Sequence, residues 1–306
     1  GLMIRLAIVG NGERAARHRA ALAQIDGVEV VAVDGSGADA ALSARSDIDA
    51  VDLCVPPGPA AAIAVAAGKA GKRVIAEYPP GTSAADFQRV VDACREHGGA
   101  LDLLLAERHQ PLPRELKATV EAGKLGPLRY AHVASVRPWS ADDHAARDDV
   151  SPGEDDGAFV IEHAAGALDM VAWLFGDVPV ATVFARSCSL GEDGSSSRYV
   201  SIVLSFADAS QAIVEVGLTS GFPATSGLQR LALTGMRGSA YFNERDHDIV
   251  IGRRGVRALA DDAADGLAAA FSSWLADGAT DGANAARLAF AAAESLRTGQ
   301  PVGMGQ

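Results

Sequence analysis

Met3-Ile4-Arg5-Leu6-Ala7-Ile8-Val9-Gly10-Asn11-Gly12-Glu13-Arg14-Ala15 is the stretch on which the fold turns. An apolar run enters two closely spaced glycines and then an Ala-rich segment, which reads as strand, tight turn and helix. The spacing is G-x-G-x-x-A. The first glycine permits the bend, the second lets backbone approach a pyrophosphate, and the small third residue lets helix and strand pack closely. Open amides at the helix N-terminus then suit a phosphate. Gly10, Asn11, Gly12, Glu13 and Arg14 are the candidate dinucleotide-binding residues. The competing reading is a glycine-rich turn without a ligand.

The pattern that follows supports the first reading. Short β-rich runs at Arg5–Val9, Val28–Val33, Ala50–Val55, Arg73–Ala76 and Ala100–Leu105 alternate with helical stretches at Glu13–Gln24, Ala60–Ala70 and Ala84–His97. Near-continuous apolar strands alternating with helices predict a parallel sheet covered on both faces. Right-handed crossovers make it a doubly wound Rossmann domain. Ligands of such sheets lie at the C-terminal ends of the strands. Three segments fall there: Asp34, Val55-Pro56-Pro57 and Glu77-Tyr78-Pro79. Asp34 can accept from the adenosine ribose hydroxyls, which favours NAD. Gly35-Ser36-Gly37 with Arg14 as counter-charge would instead admit the 2'-phosphate of NADP.

From about residue 115 the texture changes. A helix at Arg114–Ala122 precedes runs of alternating character at Leu128–Val136, Val180–Cys188, Tyr199–Phe206, Gln211–Leu218, Arg230–Thr234, Ser239–Phe242 and Asp248–Ile251. A long helix near Val160–Leu174 interrupts them, and two more (Ala263–Ala276 and Gly282–Thr298) close the chain. The expectation is an α/β protein: a Rossmann domain over residues 1–120, then an α+β domain over 121–306 with a mostly antiparallel open sheet. Ser140–Gly157, rich in Asp, Gly, Ser and Pro, reads as a loop over the site.

A net charge of -12 argues against nucleic acid and anionic membranes as partners. No unbroken apolar run reaches the ~18 residues of a membrane span. Cys54, Cys94 and Cys188 are odd in number and lack metal-ligand spacing, as expected of reduced thiols in a cytoplasmic protein. The scattered carboxylates from Asp142 to Asp156 have no ligand rhythm, so no metal is expected.

Six segments occur in one order along nearly the whole chain: Gly10–Ala15, the strand ending Val55-Pro56-Pro57, Val74–Pro79, Glu121–Gly126, Gly166–Gly176 and Ser295–Pro301. In these the chain resembles the glucose–fructose oxidoreductase/inositol dehydrogenase (Gfo/Idh/MocA) family. The resemblance implies NAD(P)-dependent oxidation or reduction of a small molecule at a site between two domains. It also implies a homo-oligomer, dimer or tetramer, joined through the C-terminal sheet. The chain departs from the family at two places. Glu-Lys-Pro becomes Glu77-Tyr78-Pro79, and Asp-x-Gly-x-His becomes Glu162-His163-Ala164-Ala165-Gly166, so the family's catalytic lysine and histidine are both replaced. Val74–Leu112 resembles the biliverdin reductase branch, where Glu-Tyr-Pro is followed by Glu-Glu-His; here Glu107-Arg108-His109 stands in that place.

Hydride transfer needs a matching proton movement. Tyr78, a neutral donor at an ordinary pKa near 10, suits reduction of a polarised acceptor better than oxidation of an alcohol. The expected function is reduction of a small polar carbonyl, imine or conjugated substrate. Tyr78 donates the proton, Glu162 or His163 assists, and Glu77 positions cofactor or ribose. Glu162 and His163 otherwise read as partners in an interhelical hydrogen bond. Arg108, His109 and Arg137 are candidate substrate-binding residues, with Arg108 alternatively paired to Glu107. The same replacements suit a catalytically silent dinucleotide-binding sensor, and the Glu-Tyr-Pro match suits a biliverdin-reductase-like enzyme.

Overall fold

A computed structural model describes residues 3–33, 42, 45–138, 156–189, 198–219, 228–243, 248–251, 255–258, 266–277 and 282–305. Asp34, Gly35–Gly37 and all but the end of the 140–157 segment lie outside the described residues. The chain divides into two compact units, one over residues 1–106, 142–150 and 265–287, the other over 107–141, 151–264 and 288–306.

The first unit holds a five-stranded parallel sheet in the order β2-β1-β3-β4-β5. Its strands are β1 (Ile4–Val9), β2 (Val28–Val33), β3 (Ala50–Leu53), β4 (Arg73–Ala76) and β5 (Leu101–Leu103). Among the described residues the crossover helices are α1 (Glu13–Leu22), α2 (Pro57–Lys69) and α3 (Ala84–Glu96). All four residues of β3 are buried, as continuous apolar strands between two helical layers must be. Pro57 sits at the first position of α2, where its fixed φ suits a helix start and its missing N–H is no loss. Ser83 caps α3, its hydroxyl accepting from the Asp86 amide at 3.1 Å.

The chain returns to this unit late, with α6 (Leu267–Asp277). Phe271 and Trp274 are buried in the core formed by Leu6, Ile8, Leu22 and Ile75. The Trp274 indole donates to Asp102 at 2.7 Å, and Arg73 lies over its ring. Two such side chains contribute about 2 kcal/mol each by burial, enough to fix a short helix with no strand of its own. An apolar period announces a helix but not the core it joins, so α6 reads from sequence only as a closing helix.

The second unit holds a nine-stranded sheet in the order β13-β12-β11-β10-β6-β9-β8-β7-β14. Its strands are β6 (Leu128–Pro138), β7 (Val180–Ser189), β8 (Arg198–Phe206), β9 (Gln211–Thr219), β10 (Leu228–Gly235), β11 (Ser239–Asn243), β12 (Asp248–Ile251), β13 (Gly255–Ala258) and β14 (Val302–Gly303). Among the described strands of this sheet only the β6–β9 pair is parallel. The short strands β13 and β14 carry too little pattern to be read from sequence. Helix α4 (Pro111–Glu121) precedes the sheet, α5 (Asp156–Phe175) packs on β6 and β9, and α7 (Ala283–Thr298) closes the chain. Helix α5 is long and apolar enough by composition to cross a bilayer, but most of it is buried inside the protein.

Candidate active site

In the first unit, the turn after β1 has the geometry its glycines allow. Gly10 has φ +126°, and a Cβ there would run into the Cys54 carbonyl at the end of β3. Ala15 is fully buried, so helix and strand approach closely. Gly12 caps α1 without a side chain, leaving the first-turn amides without a side-chain cap. A glycine turn at a helix start with no side chain on its N-cap fits a pyrophosphate, which the first-turn amides would hold. Asn11 and Glu13 are exposed beside it, while Arg14 turns inward and is 9% exposed.

Arg14 meets the Glu77-Tyr78 segment that follows β4. Its Nη1 donates to the Tyr78 hydroxyl at 2.7 Å, its Nε lies 3.3 Å from the Glu77 carboxylate, and its guanidinium lies 4.8 Å from the centre of the Tyr78 ring. The Tyr78 hydroxyl in turn donates to the Val55 carbonyl at 2.5 Å. Tyr78 is buried, and its hydroxyl both accepts and donates within the protein. The candidates Arg14, Val55, Glu77 and Tyr78 are therefore brought together. Pro56 and Pro57 start α2 next to Val55.

Glu77 also bonds Arg17, and its carboxylate lies 3.5 Å from His18 Nε2. His18 Nδ1 meets Asp52 at 2.7 Å, and both side chains are fully buried. Burial pushes the Glu77 carboxyl up, but His18, Arg17 and Arg14 outweigh it and hold the group at about 2. Burial likewise pulls the His18 imidazole down, yet Asp52 and Glu77 raise it well above 6.5. His18 is thus an imidazolium between two carboxylates. Donor atoms of His18, Asp52 and Cys54 lie within 4.8 Å of one another, a spacing a metal ion would accept. Burial and the Asp52 charge push the Cys54 thiol up to about 11, however. Through Glu77 the His18–Asp52 pair joins Arg14 and Arg17 in a charge network.

In the second unit the candidates gather on one side of α5. The 3-10 turn Ala106–His109 carries Glu107, Arg108 and His109. Arg108 makes two hydrogen bonds to the fully buried carboxylate of Asp169 and lies near the Trp173 ring. Its partner is thus Asp169 rather than Glu107. His109 is half-buried, and burial with the Arg114 and Arg108 charges lowers its pKa, leaving it neutral. Arg137, on β6, donates to His163 Nδ1 at 2.8 Å. A guanidinium can only donate, so the imidazole accepts there and carries its proton on Nε2, 4.0 Å from the Glu162 carboxylate. Glu162 and His163 both have nearly buried side chains. At Gly166, the position the resemblance aligns with the family's histidine, the Glu107 carboxylate lies against the Cα, where a Cβ would collide with it.

Sequence reading missed Asp52, Asp169 and the role of His18. Each left a trace. Asp52 is a charge inside an apolar strand, Asp169 is one inside an apolar helix, and His18 stands four residues after Arg14, on the same helix face.

Comparison with known proteins extends these observations. Residues 6–103 match the family model described as oxidoreductase family, NAD-binding Rossmann fold, and residues 114–241 match the GFO/IDH/MocA C-terminal domain. No curated protein sequence matches the chain. Among solved structures, an oxidoreductase from Agrobacterium radiobacter in complex with NAD+, L-tartaric acid and magnesium aligns with TM-score 0.78 at 19% identity, covering 98% of both chains. Biliverdin reductase from Synechocystis sp. PCC 6803, in complex with biliverdin and NADP+, aligns with TM-score 0.76 at 19% identity over 96% of this chain and 99% of that one. The WlbA dehydrogenase from Bordetella pertussis, in complex with NADH and UDP-GlcNAcA, aligns with TM-score 0.76 at 21% identity over 99% of both. At these identities the structures share the fold.

Proposed function

The chain belongs to the Gfo/Idh/MocA family of NAD(P)-binding oxidoreductases, and on that premise we propose that it reduces a small polar carbonyl, imine or conjugated substrate, with Tyr78 as proton donor. A reduced nicotinamide, when bound, supplies the hydride. The protein binds the dinucleotide at Gly10–Arg14, shapes the pocket and manages the proton. The observation that carries the reading is the Gly10 turn with its uncapped helix start, set beside the buried Arg14–Tyr78 pair. To act as an acid, the Tyr78 hydroxyl must exchange the Val55 carbonyl for a substrate oxygen or nitrogen as its acceptor.

Arg14 faces inward to Glu77 and Tyr78, which argues against its serving as counter-charge to a 2'-phosphate and, with Asp34, supports NAD over NADP. Glu162 and His163 are kept as candidates for assisting the proton transfer on the family resemblance alone, and His109, held neutral, as a candidate substrate ligand. Arg108 and Arg137 are held by Asp169 and His163, which suits them to shaping the pocket more than to capturing an anion. The protein works in the cytoplasm as a homo-oligomer. Phe184, Val203, Ile213 and His132 line up across β7, β8, β9 and β6 on the sheet face opposite the buried one, which supports assembly there.

The test is oxidation of NADH and NADPH against panels of ketones, imines and tetrapyrroles. Turnover on one panel, reduced about 100-fold or more in Tyr78→Phe, is the expected result. Unchanged turnover in that variant removes Tyr78 from the mechanism. Tight nucleotide binding with no turnover on any panel favours the silent sensor, which the satisfied Tyr78 hydroxyl would also suit.

A further inference from the structure

We propose that Arg14 is the charge partner of Tyr78 in proton transfer: its guanidinium holds the phenol oxygen and balances the negative charge left there when the proton goes to substrate. The inference rests on the function proposed above and assigns a role that neither the glycine motif nor the Glu-Tyr-Pro segment specifies.

The argument begins with what a tyrosine lacks. An ammonium that gives up its proton becomes neutral, whereas a phenol becomes an anion. Tyr78 is buried, so an unbalanced phenolate there would carry the desolvation cost of an isolated charge. A guanidinium stays protonated at every working pH and presents several donors in a fixed plane. The Arg14 guanidinium already donates to this oxygen at 2.7 Å and stacks by its ring at 4.8 Å. The cation is itself held. Nε lies 3.3 Å from Glu77, and the same carboxylate bonds Arg17 and neighbours His18, which is anchored on Asp52. Among the described residues, Arg14 and Arg17 meet at the Glu77 carboxylate, with the His18–Asp52 pair next to it.

The step balances. A hydride passes from the reduced nicotinamide to the substrate carbon, so the cofactor is oxidised and the substrate reduced. The O–H bond of Tyr78 breaks as the new O–H or N–H bond forms on the substrate. The phenolate, paired with Arg14, then recovers a proton from solvent.

The competing use of Arg14 is as a ligand of the cofactor pyrophosphate, given its place in the first turn of α1. Arg14→Met and Arg14→Lys separate the two, measured with NADH and the substrate found on the carbonyl and imine panels. Expected in Arg14→Met is a loss of kcat at saturating NADH of about 100-fold, partly recovered in Arg14→Lys. Adding Tyr78→Phe to Arg14→Met should cost little more, because the two act as a unit. A crystal structure of the NADH complex is expected to keep the guanidinium on the Tyr78 hydroxyl. The proposal is overturned if Arg14→Met weakens only NADH affinity and kcat recovers at saturation. It is equally overturned if the complex shows the guanidinium moved onto the pyrophosphate, a readout that decides even without turnover. Full activity in Arg14→Met with loss in Tyr78→Phe removes Arg14 alone and leaves the proposed reaction standing. Failure to bind either nucleotide removes both.

Discussion

Under the proposed function, Tyr78 gives up a proton and is left with a charge on an oxygen that already accepts a hydrogen bond from Arg14. The chain behind Arg14 runs through Glu77 to His18 and Asp52, so a titration at one end is felt at the other. His18 has a raised pKa in the folded protein. Its contribution to stability is therefore complete below the ordinary value of 6.5 and is lost as pH rises through the higher folded value. Glu77 runs the other way: its contribution is present above 4.5 and lost as pH falls toward about 2. Thermal unfolding of wild type and His18→Gln from near neutral to alkaline pH tests the first statement. The wild type should lose Tm with rising pH more steeply than the variant; parallel curves would refute the linkage. Gly10 and Gly12 were legible in the sequence because what they do is local backbone geometry. Arg14 was legible as a residue of the turn but not as Tyr78's partner, because that contact joins positions 64 residues apart.

At the scale of elements, α5 shows how one helix face can be set by its neighbours. Glu162, Gly166 and Asp169 follow one another at helical spacing, and the Glu107-Arg108 turn meets that face. Gly166 makes room for a carboxylate from another segment. A methyl group there must displace the Glu107 side chain, so Gly166→Ala should cost about 1–3 kcal/mol by overpacking, despite alanine's better helix propensity. Urea denaturation reads this directly, and a stabilised variant would show that the slot is not filled as described. The long, strongly periodic elements of both sheets were legible because burial imposes a period of two on strands and 3.6 on helices. What escaped was destination. Trp274 lies in the first unit through its bond to Asp102, 172 positions earlier in the chain, and no periodicity carries that information.

For the molecule as a whole, family membership and the parallel sheet make dinucleotide binding the premise of every functional statement. A net charge of -12 does not oppose it, because the phosphates would be met by uncapped amides rather than by the protein's overall field. Light scattering in solution addresses assembly; a monomer would set aside the role given to the second sheet's open face. The most direct test of the account is titration of the chain with NADH and NADPH, followed by nicotinamide fluorescence, in wild type and in Gly10→Val. A side chain at Gly10 is forced into the Cys54 carbonyl at φ +126°, so the variant should lose the turn. Saturable binding by the wild type, tighter for NADH and abolished in a folded Gly10→Val, is the predicted result. Binding by neither nucleotide, or equal binding by both proteins, would contradict it.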